Sequence, residues 1–221
     1  MNNYTDLIKQ SIEAAERGES RLTKEVLELD GMSSNKTRHF FNNIITPTSR
    51  YLEIGTWKGS TLISALYFNN PEFHIAIDNF SEFTGPRLDF HKNCRRLLDY
   101  WNRANFLDAG CFDINPQDFN ISNINTYFYD GKHDYEDQYK AITHYYDVLA
   151  KEFILIVDDY NWPQVQAGTL DALRDKQVEI KYMKHLPANT TTIQGESGPM
   201  TFGDKELWWN GLFVAHCIKT A

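Results

Sequence analysis

No stretch of the chain approaches the roughly 18 consecutive apolar residues that a membrane-crossing helix requires, so no membrane partner is expected. Long lysine and arginine runs are also missing. With 22 basic against 30 acidic residues the net charge is −8, and the basic face that a nucleic-acid backbone demands is not available. Cysteine is scarce. Cys94, Cys111 and Cys217 are odd in number and widely spaced, with no Cys-x-x-Cys pair. That excludes a zinc ribbon and favours reduced thiols over a disulfide framework. The start, Met1-Asn2-Asn3-Tyr4-Thr5-Asp6, lacks the apolar core of a secretory leader, and a cytoplasmic location is expected.

What the chain does have is apolar material. At 221 residues and 42% hydrophobic, it can build one large domain with a sizeable core. Leu7, Ile8, Ile12 and Ala15 recur at helical spacing, and helical pieces extend to about residue 46, forming an N-terminal cap rather than a separate domain. From residue 47 onward strands and helices alternate. Strands are expected at 51–54, 74–78, 105–108, 125–129 and 153–157, with helices at 60–68, 87–102, 135–149 and 163–176. Such alternation predicts an α/β, doubly wound parallel sheet covered on both faces. Two further strands, 178–184 and 212–218, have no convincing helix between them and are expected to pair antiparallel at one edge. The stretch 186–210 reads as a long loop that can line a substrate site.

The first strand leads into Glu53-Ile54-Gly55-Thr56-Trp57-Lys58-Gly59-Ser60-Thr61. A carboxylate, two glycines and a Ser60 or Thr61 able to cap the next helix describe a loop that wraps a small ligand at a strand's carboxyl end. Trp57 stands where a dinucleotide fingerprint needs a glycine, and no Gly-Lys-Ser/Thr follows, so pyrophosphate is disfavoured. Glu53 instead suits a cationic amino group. S-adenosylmethionine (SAM), with its ammonium and sulfonium, fits this pattern.

Acids gather at the other strand ends. Asp78 lies where a carboxylate accepts ribose hydroxyls. Cys111 and Phe112 follow the third strand, beside the expected adenine. Asp130, Asp158 and Asp159 form a second group with few cations near them. Like charges 4 Å apart repel by about 4 kcal/mol at an effective dielectric near 20. A divalent cation relieves that repulsion, and oxygen ligands suit Mg²⁺ or Ca²⁺. Adjacent strand residues point to opposite faces, so Asp158 and Asp159 converge only if the strand ends there. Asp159 as a cap for a helix opening near Pro163 is the alternative. His133, three residues after Asp130, is a candidate general base, with Lys132 its rival.

The glycine loop resembles the first motif of class I SAM-dependent methyltransferases. Asp130-Gly131-Lys132-His133-Asp134-Tyr135-Glu136 and Ile154-Leu155-Ile156-Val157-Asp158-Asp159-Tyr160 resemble the bacterial macrocin-type sugar O-methyltransferases and, more distantly, catechol O-methyltransferases. The resemblance implies a Rossmann-like, seven-stranded sheet with a reversed final strand. It implies cofactor contacts at Glu53, Gly55, Thr56, Trp57, Gly59, Ser60 and Thr61 in the loop, then at Asp78, Asn79, Cys111, Phe112 and Asp130. It implies Mg²⁺ or another divalent ion on Asp130, Asp158 and Asp159, and His133 where catechol-type enzymes carry a lysine base. The expected activity is transfer of a methyl group to a hydroxyl of a small acceptor, sugar or phenolic in type. A SAM-binding protein without catalysis, or a nucleotide-sugar or NAD enzyme on a similar fold, is the alternative. Trp208 and Trp209 suit either the acceptor rim or a homodimer contact.

Overall fold

The structure is a computed structural model that describes residues 3–82, 86–98, 104–189, 191–195 and 198–220, with backbone only from 191 to 202. The N-terminal cap consists of α1 (Tyr4–Glu16), α2 (Lys24–Leu27) and α3 (Asn35–Ile44). Asn3 and Ser34 cap α1 and α3 by accepting from Asp6 N and Thr37 N, each satisfying an otherwise orphaned donor.

The core alternates as expected: β1 (Arg50–Ile54), α4 (Ser60–Leu66), β2 (Phe73–Asp78), α5 (Pro86–Leu97), β3 (Phe106–Asp108), β4 (Ile124–Tyr129), α6 (Tyr135–Tyr145), β5 (Leu149–Val157), α7 (Pro163–Asp175) and β6 (Val178–Leu186). Then come β7 (Thr191–Gly195), β8 (Gly198–Phe202) and β9 (Leu212–Lys219). Seven strands form one sheet in the order β3-β2-β1-β4-β5-β9-β6. β9 alone runs against its neighbours, pairing antiparallel with both β5 and β6.

Alternation along the strands divides two apolar layers. Tyr51, Phe128, Ile154 and Ile156 face α4, α5 and the cap, while Leu52, Ile54, Tyr127, Tyr129, Leu155 and Val157 face α6 and α7. β1 lies between β2 and β4, so the chain winds in opposite directions from it, and a crevice opens at its carboxyl end.

Three expectations need correction. The helix after residue 135 stops at Tyr145, and a 3-10 turn at Tyr146–Val148 brings the chain straight into a longer β5. The stretch 186–210 contains the β7–β8 hairpin, a separate two-stranded sheet, rather than loop alone. Trp208 is a core residue, its ring edge-on to Phe40 and its indole N–H donating to Glu16 at 2.9 Å, and so is unavailable to a dimer contact. The expected extension of α5 to residue 102 falls partly outside the described residues. Among the described residues no helix is long and apolar enough to cross a membrane.

Candidate active site

The glycine loop is fastened to β2 by Asp78. Its Oδ2 accepts from the backbone N–H of Thr56 (2.8 Å) and Trp57 (2.9 Å) and from the Thr56 hydroxyl (3.2 Å), and its Oδ1 accepts from Phe80 N (2.7 Å). A carboxylate has about four acceptor positions, so Oδ1 keeps one for a further donor. Gly55 N adds a bond to Ile77 O of β2, and on the other side Asp130 N, just past β4, donates to Ile54 O. Gly55 (φ +83°) and Gly59 (φ +86°) both take the left-handed conformation that glycine adopts without strain. Trp57, at φ +43°, takes it as well, and Lys58 Nζ lies 4.6 Å from the centre of its ring.

Glu53 is turned inward. Alternation puts it on the face of Tyr51, beneath the start of α4, where it is fully buried. Oε2 accepts from the Tyr51 hydroxyl at 2.5 Å and Oε1 from the Thr61 hydroxyl at 2.6 Å, while Leu62 N–H also contributes. Burial pushes its pKa up to about 7 against the pull of these donors. The expectation that Ser60 or Thr61 caps α4 fails for this reason. Thr61 is committed to Glu53 and Ser60 to Ser33 (2.9 Å), and the cap is Gly59, with no side-chain bond.

The second group lies at the ends of β4 and β5. Asp130, His133 and Asp159 each offer a ligand atom, and these atoms lie within 4.8 Å of one another. His133 Nε2 is 2.9 Å from Asp159 Oδ2, and its ring stands edge-on to Trp162. Asp158 is outside that set of three, although its carboxylate is buried and feels both Asp130 and Asp159. Burial, then mutual repulsion, drives the pKa values of Asp130 and Asp158 well above the usual carboxylate range. His133 is shifted upward: burial opposes protonation, but the bond to Asp159 and its charge outweigh it. One oxygen of Asp158, one of Asp159 and Nδ1 of His133 are buried with no hydrogen-bond partner. Such atoms are costly unless something binds them.

Local sequence explains the placement. Asp134 caps α6 by accepting from Asp137 N, and Gln138 donates to Lys132 O, which pins the 130–134 loop. Lys132 itself is exposed. Asp159 does not cap α7, whose cap position is Trp162. Asn79 is exposed and turned to Ser81 N. Cys111 is half-buried, burial raising its thiol to about 11, and Phe112 is half-covered, with Lys140 Nζ 4.4 Å from its ring centre. A cavity of about 380 Å³ lies between the cap and residues 205–206, lined in part by Gly31, Ser33 and Arg38. None of the strand-end carboxylates lines it, so the chemistry is placed where those groups converge.

Residues 52–160, about half of the chain, match the family described as a methyltransferase domain. The chain is a class I SAM-dependent methyltransferase. No curated protein matches its sequence. Among solved structures, this methyltransferase is similar to a SAM-dependent O-methyltransferase from Thermotoga maritima at 12% identity and TM-score 0.53, covering 78% of this chain but only 60% of that one. An O-methyltransferase from Bacillus cereus in complex with SAH is similar at 12% identity and TM-score 0.56, with 96% and 90% covered. A precorrin-6y C5,15-methyltransferase from Geobacter metallireducens is similar at 11% identity and TM-score 0.55, with 80% and 82% covered. Likeness at this identity concerns the fold, and the fold serves acceptors as different as these names indicate.

Sequence reasoning missed two contributors to this methyltransferase's site, Tyr51 and His185. Tyr51 holds Glu53, and Asn161 and His185 meet behind the Asp158–Asp159 turn. Tyr51 shares Glu53's face two residues earlier, a signal that alternation offers. His185 lies 24 residues from Asn161 and carries no such signal.

Proposed function

We propose that this methyltransferase acts on oxygen, moving the SAM methyl group to a hydroxyl of a small sugar or phenolic acceptor with help from a divalent cation. The observation that carries the reading is the convergence of Asp130, His133 and Asp159 beside the glycine loop, with one buried, partnerless carboxylate oxygen on Asp159 and another on the adjacent Asp158.

The donor set fits such an ion. Asp130 and Asp159 offer hard oxygen ligands and His133 a ring nitrogen within 4.8 Å of one another, while Asp158 lies outside that set. Bound there, a divalent cation would neutralise the cluster, orient acceptor oxygens and lower the hydroxyl's pKa. The chain's own groups supply the rest. Asp78 ties down the glycine loop by taking up the Thr56 and Trp57 N–H groups, and its Oδ1 keeps an acceptor position for a cofactor hydroxyl. With Nε2–H donated to Asp159, His133 keeps Nδ1 as the free acceptor for the hydroxyl proton. The acceptor oxygen attacks the sulfonium methyl, the carbon–sulfur bond breaks, and the products are a methyl ether and S-adenosylhomocysteine. Positioning and electrostatics carry most of the acceleration.

The net charge of −8 supports a small acceptor over a nucleic acid. The test is methyl transfer from labelled SAM across a panel of sugars and phenols, with Mg²⁺ and with a chelator. Product that depends on Mg²⁺ supports both halves of the reading. Product unaffected by chelation removes the metal, and transfer to nitrogen or carbon acceptors alone removes the oxygen.

A further inference from the structure

The problem that alternation poses for two adjacent aspartates is solved at one residue. β5 ends at Val157, and Asp159 takes φ +53°, a left-handed conformation uncommon for a residue with a side chain. The chain reverses there, Trp162 N donating back to Asp159 O at 3.0 Å. A sparsely populated conformation persists only where its surroundings over-determine it.

Those surroundings converge on Asn161. Its backbone N–H donates to Asn210 O (3.2 Å), and that of Tyr160 to Gly211 O (2.9 Å). Its side-chain Nδ2 donates to Ala188 O (2.6 Å), leaving Oδ1 to accept from His185 Nε2 (3.0 Å). That pair fixes both assignments: the amide cannot be flipped, and His185 carries its proton on Nε2. Burial favours the neutral imidazole, which is all the bond requires. Tyr160 stacks on Phe213 (4.4 Å) and meets the His185 ring edge-on (5.1 Å). Gly211 (φ +94°) lies so close that a Cβ there would come within 2.3 Å of Asn161 Oδ1. The Asn161 side chain thereby joins the turn after β5 to the end of β6 and the root of the hairpin, while the backbone of Tyr160 and Asn161 joins it to the approach to β9.

We propose that Asn161 and His185 are positioning residues that hold the chain reversal at Asp159 and so set how its carboxylate meets His133. Asn161 and His185 bond to each other and to Ala188 O rather than to a strand-end carboxylate, so both act through the turn. The inference rests on the functional reading of the Asp158–Asp159 cluster.

The test uses the full chain and three variants: Asn161→Ala, His185→Leu and His185→Gln, the last retaining an N–H donor. The first readout is the proton NMR signal of the His133 Nε2–H bonded to Asp159, assigned by its loss in His133→Gln. In Asn161→Ala and His185→Leu, folded as judged by circular dichroism, the signal is expected to shift or vanish, and in His185→Gln to stay. A signal unchanged in the folded Asn161→Ala and His185→Leu proteins overturns the proposal. So does its loss in His185→Gln to the same extent as in His185→Leu. Should Asn161→Ala not fold, the His185 pair decides alone. Mn²⁺ titration followed by electron paramagnetic resonance gives the second readout, with binding expected to weaken about tenfold, or about 1.4 kcal/mol, in the two disruptive variants. If the unaltered protein binds no Mn²⁺, the metal reading falls, and the His133 signal still judges the clamp.

Discussion

The main-chain carbonyl of Asp130 leaves no room for a side chain at Gly55. A Cβ there would lie 1.9 Å from that oxygen, and Gly55 already sits at φ +83°. The end of β1 and the end of β4 are held at a separation that only glycine permits. Gly55→Ala is therefore expected to spread the crevice, lowering stability by about 2 kcal/mol or more. Affinity for S-adenosylhomocysteine should fall at least about tenfold. Thermal unfolding and calorimetry check both, and normal values for each would show that the close approach is not needed.

Asp78 organises the loop by accepting from Thr56 and Trp57 backbone N–H groups through one oxygen. Asp78→Asn keeps the size and removes the charge that strengthens those bonds. Because Asp78 is only half-buried, the fold should survive at a cost of about 1 kcal/mol. Cofactor affinity should drop by roughly tenfold or more. Calorimetric titration distinguishes the two effects.

Glu53 makes stability depend on pH in an unusual direction. Its pKa rises from an ordinary 4.5 to about 7 on folding, so between those values the folded state holds more protons than the unfolded one. Its contribution is thus most favourable below pH 4.5 and is lost as pH rises toward 7, by up to about 3 kcal/mol. Glu53→Gln should flatten that decline in melting temperature between pH 5 and 8. An identical profile in the variant would mean that Glu53 folds ionised.

Asp159→Ala removes the partner of His133 and one of the carboxylates at the cluster. Loss of Mn²⁺ binding is expected, together with a fall in turnover of about a hundredfold or more. Its fold should persist, since removing the buried, partnerless Oδ1 of Asp159 offsets part of what is lost with the His133 bond. Unchanged metal binding and turnover would remove Asp159 from the site.

The β–α order and the split of apolar residues between two faces were legible because strand and helix periods differ and each is written locally, as in Phe153-Ile154-Leu155-Ile156-Val157. The acids at strand ends were legible for the same reason. The inward turn of Glu53 was not, because a carboxylate at a strand end reads as solvated until α4 is laid over it. The convergence of Asp159 with His133 depends on the left-handed backbone at Asp159, a conformation that aspartate tolerates but that the sequence does not assign to Asp159 rather than to Asp158. The hairpin at 191–202 was hidden by glycines and a proline that read equally well as loop. Asn161, His185 and Gly211 meet only through tertiary structure.

The most direct test of the central claim is calorimetric titration of the intact chain with SAM, with and without Mg²⁺. One molecule bound per chain, with affinity in the micromolar range or tighter, is the predicted result. No binding at millimolar SAM under either condition would contradict it and leave a methyltransferase fold serving some other ligand.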